Sequence, residues 1–321
     1  LSSRRKHDVS FQTWNLYLGA DLTPLIGATM AQIPQRVTEV FQQFLATDIT
    51  TRVKAIARGI AKEKPDFIGL QEAELLQLVI PTFGIVTYDF IELLIGELEN
   101  LGLKYRIGAK NDNLSVGLPD SNGNLVKYLD RDAILIRKDS EFKILSKHEA
   151  NFQTNLTLPV GGQAITVLRG WSSIEVKKGG KVFKLINTHL EPNDEAVRNA
   201  QATEILQGPA NTQLPVIISG DMNAVPNSTT YNLFVNAGLN DIWNFFGIGQ
   251  GFTGHQAPNL LNSVSLLNER VDYIFYKNGW NPITAHLIGN SQSDRTKTGL
   301  WPSDHAGLFS RLSLKYNHDN H

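Results

Sequence analysis

LPVIISGDMNAVP (Leu214–Pro226) changes character at its centre. Val216 to Ile218 form an apolar, β-branched run of the kind that fills a strand buried on both faces. The run stops at Gly220, and Asp221 and Asn223 follow. Side chains two apart on an extended segment point the same way, so this strand would deliver a carboxylate and an amide to one place.

The same design recurs on both sides of this stretch. Asn15 follows FQTW, Glu72 follows FIGLQ and His189 follows KLINT. Asp272 lies inside RVDYIFY, and Asp304 and His305 open the last strand, AGLFSRLSL. Any one of these is an ordinary turn or cap residue, because Asn and Asp bond readily to nearby backbone. Their complementary chemistry across so many strand ends points to a shared site.

Between the strands lie helical patterns. Val37, Val40, Phe41, Phe44 and Leu45 recur at three- and four-residue steps, as do Val53, Ile56, Ala57 and Ile60 before Pro65. YDFIELLIGELENLG is amphipathic up to Gly102, NDEAVRNAQATEILQG is closed by Gly208–Pro209, and a short helix is expected around Tyr231–Val235. From about Tyr128 strands dominate: DAILIR, FKILS, WSSIEV, KVFKLINTH, RVDYIFY and ITAHLIG. Many strands with interspersed helices predict two stacked sheets with helices packed outside. No repeat, linker or low-complexity tract divides the 321 residues, so one domain over 1–321 is expected.

Composition narrows the chemistry. Thirty basic residues against 31 acidic leave a formal charge of −1, so no global phosphate-backbone attraction is visible. The absence of cysteine excludes disulfides, thiolate metal sites and cysteine nucleophiles. No apolar run is long enough to span a bilayer as a helix. The opening LSSRRKHDVS lacks the apolar segment of a signal peptide and begins without methionine; a trimmed, secreted or periplasmic form is the expectation, and a monomer.

Carboxylates, amides and histidines without cysteine suit phosphoester hydrolysis. A phosphate ester resists attack because its oxygens are anionic, so catalysis needs an oxygen-bound hard cation, donors for developing charge and a base for water. Glu72, with Asn15, is expected to hold Mg²⁺ or Mn²⁺. Asp221 would orient and deprotonate water, and Asn223 would fix a phosphate oxygen. His189 and His305, if protonated, would donate to phosphoryl oxygens, with Asp272 holding one imidazole in its cationic form.

TWN, DFIGLQE, INTHLE, SGDMNAVP, RVDYIF and WPSDHAG, in that order, resemble the motif set of the endonuclease/exonuclease/phosphatase superfamily, from about Phe11 to Leu312. That resemblance implies a DNase-I-like α+β fold: a four-layer α/β sandwich, two mixed β-sheets face to face with helices on both outer sides. It implies that Asn15, Glu72 and Asp304 lie at the metal, and that His189, Asp221, Asn223, Asp272 and His305 carry catalysis. Where relatives carry a further polar contact, YLDRDAILIR offers Asp130, Arg131 or Asp132; Arg131 has the sharper rationale, since a guanidinium forks onto phosphate. Arg169 is a second phosphate-binding candidate.

Substrate is less legible. Tyr17 stands where abasic-site endonucleases usually carry an acid, and no tryptophan precedes the Gly220–Asp221 pair as in inositol phosphatases. NLYLG is similar to the start of sphingomyelinase-like branches. The apolar tract Leu75–Val86 is either a lipid-contacting lip or a buried segment, and Trp301, Trp243 and Phe246 either stack on a substrate or pack internally. A nuclease-like phosphodiesterase, gripping nucleic acid through residues such as Arg295 and Lys297, is the leading expectation. A hydrolase of phospholipid headgroups or small phosphoesters, and a catalytically silent scaffold, are the alternatives.

Overall fold

The computed structural model describes residues 7–315, so the reading of the first six residues falls outside it. The chain opens with β1 (Asp8–Asn15), α1 (Ile33–Ala46) and α2 (Ile49–Glu63), then β2 (Phe67–Gln71), β3 (Leu75–Ile80), β4 (Gly84–Asp89) and α3 (Phe90–Asn100). A strand-rich middle follows: β5 (Tyr105–Pro119), β6 (Leu125–Arg137), β7 (Lys143–Asn151), β8 (Leu156–Val160), β9 (Gln163–Val167), β10 (Gly170–Lys178) and β11 (Lys181–His189). The last third carries α4 (Glu195–Gln207), β12 (Val216–Asp221), α5 (Thr229–Asn236), β13 (Asn240–Asp241), α6 (Trp243–Phe246), β14 (Asp272–Lys277), β15 (Trp280–Ile288) and β16 (Gly307–Leu314).

Helix boundaries follow local chemistry. Asp48 caps α2 by accepting from the Thr51 N–H, and Lys64, at φ 51°, ends it just before Pro65. Asp194 caps α4 through the Val197 N–H. The α1 stripe of Val37, Phe41 and Phe44 is buried, as its spacing predicts. No helix among the described residues is long and apolar enough to cross a membrane.

One sheet has the order β15–β16–β1–β2–β6–β3–β4, with β5 also paired to β6; the second runs β13–β14–β12–β11–β10–β7. Both are mixed, since β1 and β2 are parallel, as are β11 and β12, amid antiparallel neighbours. Phe11, Phe67, Ile134, Phe183, Ile217 and Ile274 fill the space between the sheets. Outside the first sheet, Phe44, Ile56 and Leu94 of the helices cover Trp14 and Ile68. Outside the second, Ile205 and Phe234 cover Ile218 and Phe275. The result is the four-layer α/β sandwich of DNase-I-like proteins.

Two segments differ from the sequence reading. Leu75–Val86 is not one segment: Pro81 to Gly84 turn it into the β3–β4 hairpin, whose tip leaves Phe83 78% and Ile85 58% exposed. The β5 strand was not expected, because polar residues alternate along its exposed half and Gly108 and Gly117 dilute the pattern.

The sheets approach closely at Gly69. A Cβ there would lie 2.6 Å from Asn187 Oδ1 and 2.8 Å from Ser219 Oγ. Gly69→Ala is therefore expected to destabilise the protein by about 3 kcal/mol, an overpacking cost. Chemical denaturation checks this, and an unchanged midpoint would show that the sheets can separate freely.

Candidate active site

Strand alternation decides which residues meet. Phe183 and Leu185 of β11 face the inter-sheet core while Ile186 faces the helices, so Asn187 and His189 also point between the sheets. By the same parity Ile217 is followed by Ser219 and Asp221, Phe11 by Thr13 and Asn15, and Ile274 is preceded by Asp272. Register then aligns them. His189 is paired with Asp221, and Asp221 with Asp272, across β11, β12 and β14.

Beneath this row lies a polar layer: Gln71 Nε2 donates to Asn187 Oδ1 at 2.8 Å, and Asn187 Nδ2 to the Leu70 carbonyl at 2.9 Å. Along β11 the series runs from Leu185 through the Asn187 amide to His189, and along β12 from Ile217 through the Ser219 hydroxyl to Asp221, as the strands reach the mouth between the sheets.

Hydrogen bonds bind the two halves together there. Asn15 Nδ2 donates to Glu72 Oε2 at 2.6 Å and to Asp221 Oδ2 at 3.0 Å. Glu72 Oε1 accepts from the Leu18 N–H at 3.0 Å. Asp221 Oδ1 accepts from the Asn223 N–H, and Asn223 Nδ2 donates to the Leu190 carbonyl. Glu72 and Asn223 sit just past strand ends with φ of 49° and 48°, in the left-handed region that non-glycine residues enter infrequently.

His305 completes the cluster. Its Nδ1 lies 2.7 Å from Asp272 Oδ2, leaving Nε2 toward the cleft, 3.6 Å from Asp221 Oδ2 and 3.9 Å from Asp304 Oδ1. Burial alone would depress the His305 pKa, but the carboxylates of Asp272, Asp304 and Asp221 hold it well above the usual histidine range. His189 differs: burial and then the Arg169 charge keep it below that range, so it meets Asp221 as a neutral ring at 3.4 Å. Of the two histidines, the surroundings favour the protonated form of His305 alone. Burial would raise Asp221, yet the His305 charge, with the Asn15 hydrogen bond, holds it low.

These groups line a cleft of about 260 Å³. Glu72, Asp130, Asp221 and Asp304 all face it, against the single guanidinium of Arg169 among the described residues. Burial pushes the Asp304 carboxyl up to about 7, with His305 opposing and Glu72 adding to the rise. Asp304 Oδ1 has no hydrogen-bonding partner among the described residues. A buried carboxylate oxygen without a donor, beside a second carboxylate, fits a hard divalent cation held by Glu72 and Asp304. Asn15, expected at the metal, instead positions Glu72: its Nδ2 faces the carboxylates and its Oδ1 accepts from the Tyr17 N–H. Asp221, Asp272 and His305 also bring ligand-type atoms within 4.8 Å of one another. There the Asp272–His305 hydrogen bond already occupies one side, which favours a hydrogen-bonded relay over a ligand set.

The remaining candidates divide. Arg169 lines the cleft, its Nε 3.3 Å from Glu191 Oε2, and Asp130 with Glu191 keeps it cationic despite burial. Arg131 is not brought there: Nε donates to the Ala73 carbonyl, and Nη2 to the Glu74 carbonyl and to Asp89, which pins the β2–β3 turn. Asp130 takes the cleft-facing place, while Asp132 is buried against Asn111 and Asn113. Trp301 packs internally, with Nε1 donating to the Asn262 carbonyl and Arg295 over its ring. Trp243 is likewise buried, and neither it nor Phe246, Arg295 or Lys297 lines the cleft.

His255 is a cleft residue that sequence reading missed. Its ring stands edge-on to His305 with centroids 4.5 Å apart. It lies in GFTGHQAPN, a segment with no strand alternation to set its direction. Tyr17 also reaches the cleft, anchored by its hydroxyl to the Pro258 carbonyl.

Comparison with known proteins bears on the fold and the family. Nocturnin of Rattus norvegicus is 26% identical over 193 residues, 56% of this chain and 44% of that protein. The chain thus spans less than half the length of this curated relative. An endonuclease/exonuclease/phosphatase family protein of Bacteroides thetaiotaomicron superposes with a TM-score of 0.61 at 18% identity, covering 97% of this chain and 99% of its own. A mannosyl-6-phosphatase from the same species gives 0.56 at 19% identity, over 95% of this chain and all of that one. The model of the Endonuclease/Exonuclease/phosphatase family matches residues 13–305, a segment that contains every cleft residue named above. The chain belongs to the endonuclease/exonuclease/phosphatase family.

Proposed function

We propose that the protein is a divalent-metal-dependent phosphoester hydrolase that acts on phosphodiesters by attack of water at phosphorus. The observation that carries this reading is the 2.7 Å Asp272–His305 pair, which aims Nε2 at a cleft crowded with carboxylates. An anionic ester enters such a cleft only if a cation offsets its walls. Glu72 and Asp304, the former positioned by Asn15, would hold Mg²⁺ or Mn²⁺, which would supply charge neutralisation at the phosphoryl oxygens.

Around it the chain's own groups divide the work. Asp221, fixed by Asn15 and the Asn223 N–H, orients a water and takes its proton as the new bond to phosphorus forms; the P–O bond to the departing alcohol breaks, and the alkoxide takes a proton from solvent. His305 Nε2–H donates to a phosphoryl oxygen, and Asp272 keeps the ring charged and in place. Neutral His189 offers one further donor from the opposite wall. Arg169 and the free amide proton of Asn223 complete the contacts to phosphate.

Hydrolysis of bis-p-nitrophenyl phosphate with Mg²⁺ or Mn²⁺, lost on adding EDTA, tests this reading. Glu72→Ala is expected to lower the rate about a hundredfold and to weaken the apparent metal affinity at least tenfold, since an oxygen ligand and its Asn15 contact are lost together. An unaltered metal titration would remove Glu72 from the ligand set. A parallel panel of duplex DNA, RNA and sphingomyelin then sorts nucleic-acid from lipid esters.

A further inference from the structure

A second chamber, of about 250 Å³, opens beside the catalytic cleft. Val37, Phe41 and Phe44 of α1 form one wall, and Leu118 and Val126 of β5 and β6 another. Val160 and Ile165 roof it from the β8–β9 hairpin. Among its lining side chains only Gln163, Arg169, Asn193 and the Tyr128 hydroxyl carry polar atoms.

Folded interiors close up voids larger than a water molecule, because unfilled apolar surface forfeits packing. This space is kept open by elements distant in sequence. The β8–β9 hairpin belongs to neither large sheet; it is tied instead to the segment before α1, through Gly27 N–H to the Pro159 carbonyl and Gly161 N–H to the Ala28 carbonyl. Its placement serves the chamber. The outer rim is apolar too, with Ile26 42% exposed.

The chamber is continuous with the cleft: Leu18, Leu114, Tyr128 and Arg169 line both. An ester whose phosphoryl group lies against Arg169 and Asp304 therefore has one substituent directed along an apolar passage. Nucleotides fit this passage poorly, since their bases and sugars need more polar partners than it offers.

We propose that the chamber receives a hydrocarbon chain of the substrate, so that the enzyme hydrolyses amphiphilic phosphoesters carrying an unbranched alkyl or acyl tail. This rests on the hydrolase reading above and specifies its substrate class. The tail contributes binding that is equal in ground and transition states, so it lowers KM more than it raises kcat.

The test is a series of p-nitrophenyl alkyl phosphodiesters (methyl, butyl, octyl) with Mn²⁺, kept below micelle-forming concentrations. Burying a methylene is worth up to about fourfold, so kcat/KM is expected to rise at least tenfold from methyl to octyl, mostly through KM. Ile165→Trp and Val160→Trp, both on the outlying hairpin, are expected to abolish that gain while leaving methyl-ester hydrolysis and melting temperature unchanged. Calorimetric titration with methyl-, butyl- and octylphosphonate reads the chamber without turnover.

Flat chain-length dependence in both assays, with methyl-ester hydrolysis intact, overturns the tail site alone. Faster cleavage of thymidine 5′-p-nitrophenyl phosphate than of the octyl ester overturns it in favour of a nucleotide. Chain-dependent phosphonate binding without hydrolysis of any ester upholds the tail site and overturns the hydrolase reading. Absence of both overturns both.

Discussion

His305→Ala is expected to lower kcat about a thousandfold, the scale set by loss of a positioned acid–base group. The reason is that Nε2 has no competing hydrogen bond. Asp221 and Asp304 stand 3.6 and 3.9 Å away, beyond bonding distance, so the proton on that nitrogen is free for substrate. The fold should tolerate the change. Burial already pushes Asp272 up to about 6 against the pull of the imidazole. With the imidazole gone, the carboxyl rises further toward its neutral form, which limits the cost of a stranded buried charge.

Asp272→Asn is the companion experiment. It keeps the shape but removes the charge that holds the ring cationic, so activity should fall while the alkaline limb of the pH–rate profile, where His305 loses its proton, moves to lower pH. Near-wild-type kcat in His305→Ala, measured with bis-p-nitrophenyl phosphate at saturating metal, would mean that the site has been misassigned.

Arg52→Met is expected to cost about 3–5 kcal/mol of stability, the largest effect foreseen away from the cleft. Arg52 is fully buried, and its guanidinium donates to the carbonyls of Thr47, Leu16, Tyr17 and Pro302 at 2.8–2.9 Å. Among the described residues no carboxylate is within bonding distance; backbone carbonyls hold the cation, with the Tyr17 ring centroid 5.6 Å from it. Burial lowers its pKa to about 10, which still leaves it charged at neutral pH. It joins the segment after β1 to the turn before Asp304, so two halves of the cleft depend on it. Arg52→Lys should recover only part of the loss, because an ammonium lacks the planar fork that reaches several carbonyls at once. Denaturation midpoints give the energies. A wild-type midpoint for Arg52→Met would show that the four carbonyls find other partners at no cost.

What could be read from the chain followed the range of the interaction concerned. Strand-end chemistry was legible because alternation fixes the direction of a side chain within a few residues. His189, Asp221 and Asn15 needed only a buried strand and a parity. Arg131 lies one residue from cleft-facing Asp130, and no local pattern distinguishes an arginine that forks onto phosphate from one that forks onto carbonyls. His255 sits in irregular backbone, where no period sets direction. The apolar chamber was invisible for another reason. Phe41, Val126 and Ile165 each look like core residues, and only their tertiary placement leaves space among them.

The alternating order of β1, β11 and β12 sets a rule for how this chain can change length. Inserting or deleting a single residue between Lys181 and Asn187 would turn His189 from the inter-sheet mouth onto the helix-covered face. A change of two would restore its face and shift only the pairing partner. The same holds ahead of Asp221 in β12 and Asn15 in β1. Natural variation in length should therefore concentrate outside these strands. Within them, substitutions should greatly outnumber gaps.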